Sequence, residues 1–234
     1  MKRVIILFVI TAFFLCGCSE NTLLLQLESG FGSTVVRIDI KDMGSVDVRL
    51  FDDDSSDAYK LFVDKIEDGV YTDSSVSVVI DDYLMMIRAG GIPENMEISE
   101  ELKTSKMFKP SSESGIYPIY GSVVLSENFS VDGSFMIVAF SEDGIEELES
   151  MLLYKGITLS EYLLNAYGIE FTEEGLDIYR AKGGAPWLYG VYPCVGQVFG
   201  GMDLVEKILR ETNIADESYR PTEKIIVSGI GIVG

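Results

Sequence analysis

Apolar and polar residues alternate in several short runs of this chain, at the two-residue period of a half-buried β-strand. The sequences Asp42-Met43-Gly44 and Asp81-Asp82 separate neighbouring runs and are typical of hairpin turns. The pattern therefore predicts a mainly β structure whose short strands are joined by tight turns. The runs that predict strands are residues 35–40, 46–51, 76–80, 83–87 and 224–233.

Apolar residues at helical spacing occupy other segments. One helix is predicted to begin at Ser55 or Ser56 and to end at about Asp68. Three more short helices are predicted at about 143–184, one of which opens with the capping box Thr158-Leu159-Ser160-Glu161. Their apolar stripes are expected to pack on the β structure; the alternative is an exposed face that holds a partner.

Residues 185–209 predict a strand, a glycine turn and a packing helix in succession. The strand ends at Gly200-Gly201, which supplies the turn. An amphipathic helix follows, because its apolar residues share one face. These residues are Leu204, Val205, Ile208 and Leu209.

The spacing of aromatic residues and glycines in that segment resembles the cyclophilin-type peptidyl-prolyl isomerases, whose late barrel segment reads W-L-D-G-x-[HY]-x-x-F-G-x-V-x-x-G-M-x-x-V. The resemblance extends over residues 35–233, with interruptions at about 92–118 and at the helical insertion. It implies a closed eight-stranded β-barrel with flanking helices. The residues in register are Trp187, Leu188, Gly190, Tyr192, Gly196, Val198, Gly201, Met202 and Val205.

The family's catalytic arginine has no counterpart at its usual place. The family pattern F-H-R-V-I-x-x-F-M-I-Q-G-G-D aligns on residues 79–84, which puts Val78 at the arginine and Met86 at the glutamine. A small insertion would move the glutamine position to Arg88. Arg88 is also the residue that could replace the missing guanidinium from the neighbouring strand.

A proline-binding surface is also implied by the resemblance. Residues 133–137 resemble the family's S-Q-F-F-I, with Ser134 at the glutamine and Met136 at the second phenylalanine. Trp187 is expected at the rim of this surface. The implied substrate-binding residues are Tyr83, Leu84, Met86, Ser134, Met136, Trp187, Leu188 and Tyr192. The alternative interpretation is that the apolar members only pack the core.

Prolyl isomerisation requires no nucleophile, metal or general base. Amide resonance opposes rotation of the peptide C–N bond by roughly 18–20 kcal/mol, whereas the two isomers of an Xaa-Pro bond lie within about 1 kcal/mol. A site that holds the proline ring on an apolar surface and donates a hydrogen bond to the prolyl nitrogen stabilises the twisted state. In the family the arginine is this donor, so its absence predicts weak activity.

The composition narrows the chemistry further. The 234 residues contain no histidine, which excludes a Ser-His-Asp or Cys-His catalytic arrangement and a histidine-ligated zinc site. A net charge of −20 disfavours nucleic acid as a partner. Cys194 is expected to be a small buried residue with no disulfide inside the fold. Neither a metal nor a cofactor is expected.

The beginning of the chain predicts export. Lys2-Arg3 precedes an apolar run at residues 4–15 that is too short for a comfortable membrane span. Leu15-Cys16-Gly17-Cys18 resembles the bacterial lipobox, which implies lipidation of Cys18. The alternative is an ordinary secretory signal in which Cys18 is incidental. The predicted organisation is a lipoprotein signal peptide at residues 1–17, a lipid-anchored tether at 18–34 and an extracytoplasmic cyclophilin-like domain at 35–234.

Two functions of different classes remain open at this point. The first is a peptidyl-prolyl cis-trans isomerase that assists the folding of exported proteins at the bacterial cell membrane, with weak activity because Val78 stands at the arginine position. The second is a non-catalytic module that binds proline-containing segments or holds a protein partner. A third reading is an unrelated acidic surface lipoprotein.

Overall fold

Eight strands within the described part of the chain form a closed antiparallel barrel. The computed structural model describes residues 26, 32–51, 57–90, 103 and 107–234. The strands are β1 Val35–Ile40, β2 Gly44–Leu50, β3 Ser74–Ile80, β4 Leu84–Arg88, β5 Ser122–Leu125, β6 Phe135–Val138, β7 Cys194–Gly200 and β8 Ile226–Ile232. They follow one another around the barrel in the order β1-β2-β7-β5-β6-β4-β3-β8, and β8 pairs with β1. The predicted eight-stranded barrel is confirmed.

A β-bulge in β3 decides which of its residues face the interior. Val76 pairs with Ile87 and Val78 pairs with Met86, so Ser77 is the extra residue on its strand. A bulge of this kind re-aims the side chains that follow it. Val76 and Val79 therefore lie in the barrel core, whereas Val78 packs with the residues on the outer face.

Helices close the barrel and cover one side of it. The α-helices are α1 Asp57–Glu67, α2 Ser111–Ser114, α3 Phe129–Asp132, α4 Glu142–Tyr154, α5 Leu159–Tyr167, α6 Glu173–Lys182 and α7 Met202–Glu211, and a 3-10 turn spans Pro186–Leu188. Helix α1 inserts Phe62 into the core, where its ring meets the ring of Phe135 edge-on at 5.2 Å between centroids. Helix α7 contributes Val205, Ile208 and Leu209 to the same core.

The three helices α4, α5 and α6 form an insertion that leaves the barrel and returns to the same place. Each helix begins at a side-chain cap, and the predicted capping box of Thr158 and Glu161 is confirmed. After α6, the Gly184 N–H donates to the Phe140 carbonyl at 2.7 Å. The two ends of the insertion are therefore joined by one backbone hydrogen bond.

The insertion packs its apolar residues against the outer face of the barrel, as the sequence predicted. This second hydrophobic cluster joins buried residues of the insertion to Val124, Val138, Trp187 and others from the barrel. The inserted members that are fully buried are Ile145, Leu152, Leu159, Leu163, Leu176 and Tyr179.

Several sequence predictions fall on residues that the structure does not describe. The signal segment 1–17, Cys18 and most of the 18–34 tether lie outside the described residues. Within the tether range, Gln26 is buried, and its amide donates to the Tyr117 carbonyl at 2.7 Å and accepts from the Tyr117 N–H at 3.1 Å. Among the described helices, none combines the length and apolar character needed to cross a bilayer.

Candidate functional site

A cavity of about 350 Å³ lies on the outer face of the barrel, where β3, β4 and β6 run side by side. Its floor is a row of paired residues: Met86 lies opposite Val78 on one side and opposite Met136 on the other. Directly paired residues point to the same face of a sheet, so these three side chains form one apolar surface. The lining residues are Ser77, Val78, Met86, Arg88, Ser126, Glu127, Asn128, Asp132, Ser134, Met136, Tyr192 and Arg220.

One wall of the cavity is a buried polar network centred on Asp132. Its Oδ1 accepts from the Ser134 N–H at 2.9 Å and from the Ser134 hydroxyl at 2.5 Å, and the Ser134 hydroxyl also bonds to that of Ser126. The Nε of Arg88 lies 3.2 Å from the other carboxylate oxygen. The side chains of Arg88 and Asp132 are only 18% and 6% exposed, so the guanidinium is held against a buried counter-charge.

Tyr192 forms the opposite wall and is held by its backbone. Its N–H donates to the Leu188 carbonyl at 3.1 Å, and its carbonyl accepts from the Ser111 N–H at 3.0 Å. The phenol is half-buried. Burial raises its pKa, and the nearby Glu127 adds to the increase, while Lys103 opposes it. The hydroxyl is therefore a neutral hydrogen-bond donor at physiological pH.

The eight residues predicted to bind substrate divide into two groups. Met86, Ser134, Met136 and Tyr192 line the cavity, together with Val78 and Arg88. The remainder lie beside it in the outer hydrophobic cluster, either buried or half-buried. These are Tyr83, Leu84, Trp187 and Leu188.

Trp187 is not at a rim, which corrects one sequence expectation. The ring is 7% exposed, because Tyr83 stacks on it at 4.9 Å between centroids and Phe140 meets it edge-on at 5.3 Å. Leu84 and Leu188 are buried in the same cluster. For these residues the alternative of core packing describes the structure.

Helix α5 of the insertion lies against this aromatic stack. Its Tyr162 and Tyr167 rings meet edge-on at 5.8 Å. Burial raises the pKa of Tyr83 well above its ordinary value, and the neighbouring phenols of Tyr167 and Tyr162 raise it further. The insertion thus covers Tyr83 and Trp187, two of the residues that the sequence predicted to bind the proline ring.

Among the cavity residues that sequence reasoning missed, Asp132 and Arg220 carry charges. Asp132 was not singled out because a lone acidic residue before a glycine is typical of an ordinary turn. Arg220 lies in a polar loop between α7 and β8, and nothing in its sequence context points to the site. The loop reaches the cavity because the Val79 N–H donates to the Tyr219 carbonyl at 2.8 Å. Only the tertiary structure places Arg220 near Val78.

Comparison with known proteins gives a matching family model and a set of similar solved structures. Two solved structures of a cyclophilin-type peptidyl-prolyl cis-trans isomerase from Cryptosporidium parvum are similar to the chain, and one of them was determined in the presence of the dipeptide Ala-Pro. Their identities are 17% and 16%, their TM-scores 0.48 and 0.47, and the alignments cover 86% of this chain and 98% and 99% of theirs. A search of curated proteins gave no match.

The sequence model described as "Cyclophilin type peptidyl-prolyl cis-trans isomerase/CLD" matches residues 35–232. That range contains every strand of the barrel and every residue that lines the cavity. The match therefore includes both the architecture and the site, and the chain belongs to the cyclophilin-type peptidyl-prolyl cis-trans isomerase family.

Proposed function

We propose that this chain is a slow peptidyl-prolyl cis-trans isomerase that acts on proline-containing polypeptides. The observation that carries the proposal is the position of the cavity. It forms where Val78 and Met86, at the family's arginine and glutamine positions, meet Met136 and Tyr192. An apolar floor with hydrogen-bond donors at its edge suits a proline ring and the polar peptide bond that precedes it.

The rate is slow because Val78 cannot donate a hydrogen bond to the prolyl nitrogen, so any donor must reach the site from a position other than the family's. Loss of one preorganised donor typically lowers a rate on the order of 10²- to 10³-fold. The aliphatic floor is retained, so binding of the substrate is affected less than the rate. Since uncatalysed exchange takes roughly tens to hundreds of seconds, even a modest lowering of the barrier is measurable.

NMR exchange spectroscopy of an Xaa-Pro peptide tests the proposal directly. The 234-residue chain would be compared with Val78→Arg and with Val233→Arg, which adds the same charge at an exposed position outside the cavity. We expect weak acceleration by the native chain, at least about tenfold more with Val78→Arg, and no gain with Val233→Arg. If neither the native chain nor Val78→Arg accelerates exchange, the isomerase proposal is wrong.

A second candidate function is binding without catalysis. The apolar floor of Val78, Met86 and Met136 is retained while β3 carries no donor at the family's arginine position, an arrangement that favours binding over catalysis. Calorimetric titration with the same peptide separates the two functions. Saturable binding by a native chain that does not accelerate exchange would support the binding module.

We further propose that the domain acts outside the cytoplasm, lipid-anchored at Cys18, and assists the folding of exported proteins. The support is the sequence alone: the apolar run 4–15 and the lipobox-like Leu15-Cys16-Gly17-Cys18. Incorporation of labelled palmitate during expression in bacteria tests the anchor. Label is expected in the native chain and in Cys16→Ser and should be lost in Cys18→Ser; label retained in Cys18→Ser would contradict the assignment.

A further inference from the structure

We propose that Arg220, from the loop between α7 and β8, supplies the guanidinium that the family places on β3. The inference rests on the proposed isomerase function and identifies its hydrogen-bond donor. Arg220 lines the cavity whose floor is Val78, Met86 and Met136. An arginine is thus present at the site, carried there by a different element of the fold.

The loop is hydrogen-bonded to β3, the strand on which the family carries its arginine. The Tyr219 carbonyl accepts from the Val79 N–H at 2.8 Å, which fixes Arg220 next to the segment that contains Val78. The bulge at Ser77 turns Val78 to the outer face of the barrel, where the cavity opens. A donor on this loop and a donor at position 78 would therefore approach a bound peptide from the same side.

Internal hydrogen bonds hold the loop in one shape. The Ala215 N–H donates to the Arg220 carbonyl at 2.8 Å, and the Thr222 N–H donates to the Asn213 carbonyl at 2.8 Å. The Asp216 carboxylate accepts from the Ser218 N–H at 2.8 Å. A donor whose backbone is already ordered pays little reorganisation energy when the peptide bond twists.

The backbone at Tyr219 adopts a strained conformation. Its φ of +58° lies in the left-handed region, which residues other than glycine rarely adopt. Strain of this kind persists only where the surrounding structure enforces it, and it is concentrated at functional sites. Here the conformation occurs at the residue whose carbonyl bonds to Val79 and whose successor enters the cavity.

Arg88 is the less suitable of the two arginines in the cavity. Its guanidinium faces the buried carboxylate of Asp132, so a move toward substrate would break that ion pair. Arg220 lies on an exposed loop at the cavity, and its planar, permanently charged guanidinium is a suitable donor to the prolyl nitrogen or the preceding carbonyl.

Substitution of Arg220 in the 234-residue chain tests the assignment by NMR exchange on an Xaa-Pro peptide. Arg220→Ala is expected to lower kcat about tenfold or more with little change in KM, because the donor acts on the twisted state. Arg220→Lys should retain part of the rate. Arg210→Ala removes the same charge from an exposed position at the end of α7 and should change nothing. The double variant Val78→Arg/Arg220→Ala should regain the lost rate.

The outcomes separate this inference from the proposed function. If the native chain is active and Arg220→Ala is as active as Arg210→Ala, the role of Arg220 is wrong but the isomerase function is not affected. A native chain without activity alongside an active Val78→Arg would also overturn it, because a guanidinium would then be missing from the site. Inactivity of both the native chain and Val78→Arg would overturn the isomerase function itself. Circular dichroism of each variant verifies that the fold is unchanged.

Discussion

The ring of Tyr83 stacks on the ring of Trp187 at 4.9 Å between centroids and 17° between planes. Tyr83 comes from the β3–β4 turn and Trp187 from the 3-10 turn after the insertion. The stack therefore joins two segments that are distant in sequence. Because Trp187 is the one tryptophan of the chain, its fluorescence reports on this contact.

Replacing Tyr83 with Leu should expose the Trp187 ring to water. We expect a shift of the emission maximum to longer wavelength and a decrease of about 0.5–1.5 kcal/mol in the free energy of unfolding, the usual contribution of an aromatic pair. Tyr154→Leu is the control, since Tyr154 is 93% exposed. Unchanged emission in Tyr83→Leu would mean that the stack is not what excludes water from Trp187.

Gly183→Ala should destabilise the junction between the insertion and the barrel. Gly183 has φ +63°, and an added Cβ would lie 2.5 Å from the Phe140 carbonyl oxygen. Gly156 also has a positive φ, +74°, with no atom within 4 Å, so Gly156→Ala measures the cost of a positive φ without a clash. Thermal unfolding should give a clearly lower Tm for Gly183→Ala than for Gly156→Ala; equal values would show that the junction can relax.

Asp132→Asn should destabilise the domain strongly, because the guanidinium of Arg88 would lose the buried carboxylate that it faces. Breaking a buried ion pair from one side typically costs about 3–5 kcal/mol. Urea unfolding would measure the loss. Asp47→Asn, which removes the partner of Arg37 in an exposed pair, should cost about 1 kcal/mol or less.

The combined change Asp132→Asn/Arg88→Met completes that experiment. It removes both charges and should regain part of the stability that the single change loses. A double variant no more stable than Asp132→Asn would indicate that the hydrogen bonds of Asp132 to Ser134, and not the ion pair, stabilise this wall of the cavity.

The free energy of unfolding should decrease at alkaline pH because the thiol of Cys194 is buried in the folded state. Burial raises its pKa from 9.0 to about 12, and hydrogen bonding with Ser122 and Gly196 opposes this rise more weakly. A raised pKa in the folded state means that the folded form retains the proton more strongly. The contribution of the neutral thiol to the free energy of unfolding is therefore complete below about pH 9. Above that pH it declines, at about 1.4 kcal/mol per pH unit.

Urea unfolding at pH 7.5, 9 and 10 measures this decline. The difference in unfolding free energy between the native chain and Cys194→Ala should be constant up to about pH 9 and should shrink by pH 10. Because Cys194→Ala retains every buried tyrosine, their titration cancels in the comparison. A difference that does not vary with pH would contradict a buried neutral thiol.

The sequence predicted the parts of the fold that depend on local patterns. Alternation in residues 35–40 and the capping box at Thr158 each specify one element through neighbouring residues. The floor of the cavity was also predictable, since Val78 and Met86 keep a fixed register in the hairpin. For these elements, the residues that form the sequence pattern and the residues that form the structure belong to the same short segment.

The remainder depends on contacts between distant segments. Trp187 was expected at a rim because the insertion's position against the barrel has no signature in its sequence. Arg220 was missed for the same reason: the bond between Val79 and Tyr219 joins residues far apart in the chain. The sequence alone does not distinguish a charged loop residue that lines a cavity from one that faces only solvent.

The hydrogen bond between Gly184 and Phe140 has an evolutionary consequence. A segment whose two ends meet at one point can be gained, lost or exchanged without altering strand order, much as domains are inserted at loop tips. Residues 142–183 are thus a unit whose length and sequence can change without altering the order of the strands. A different segment attached at this junction would leave the cavity on β3, β4 and β6 in place.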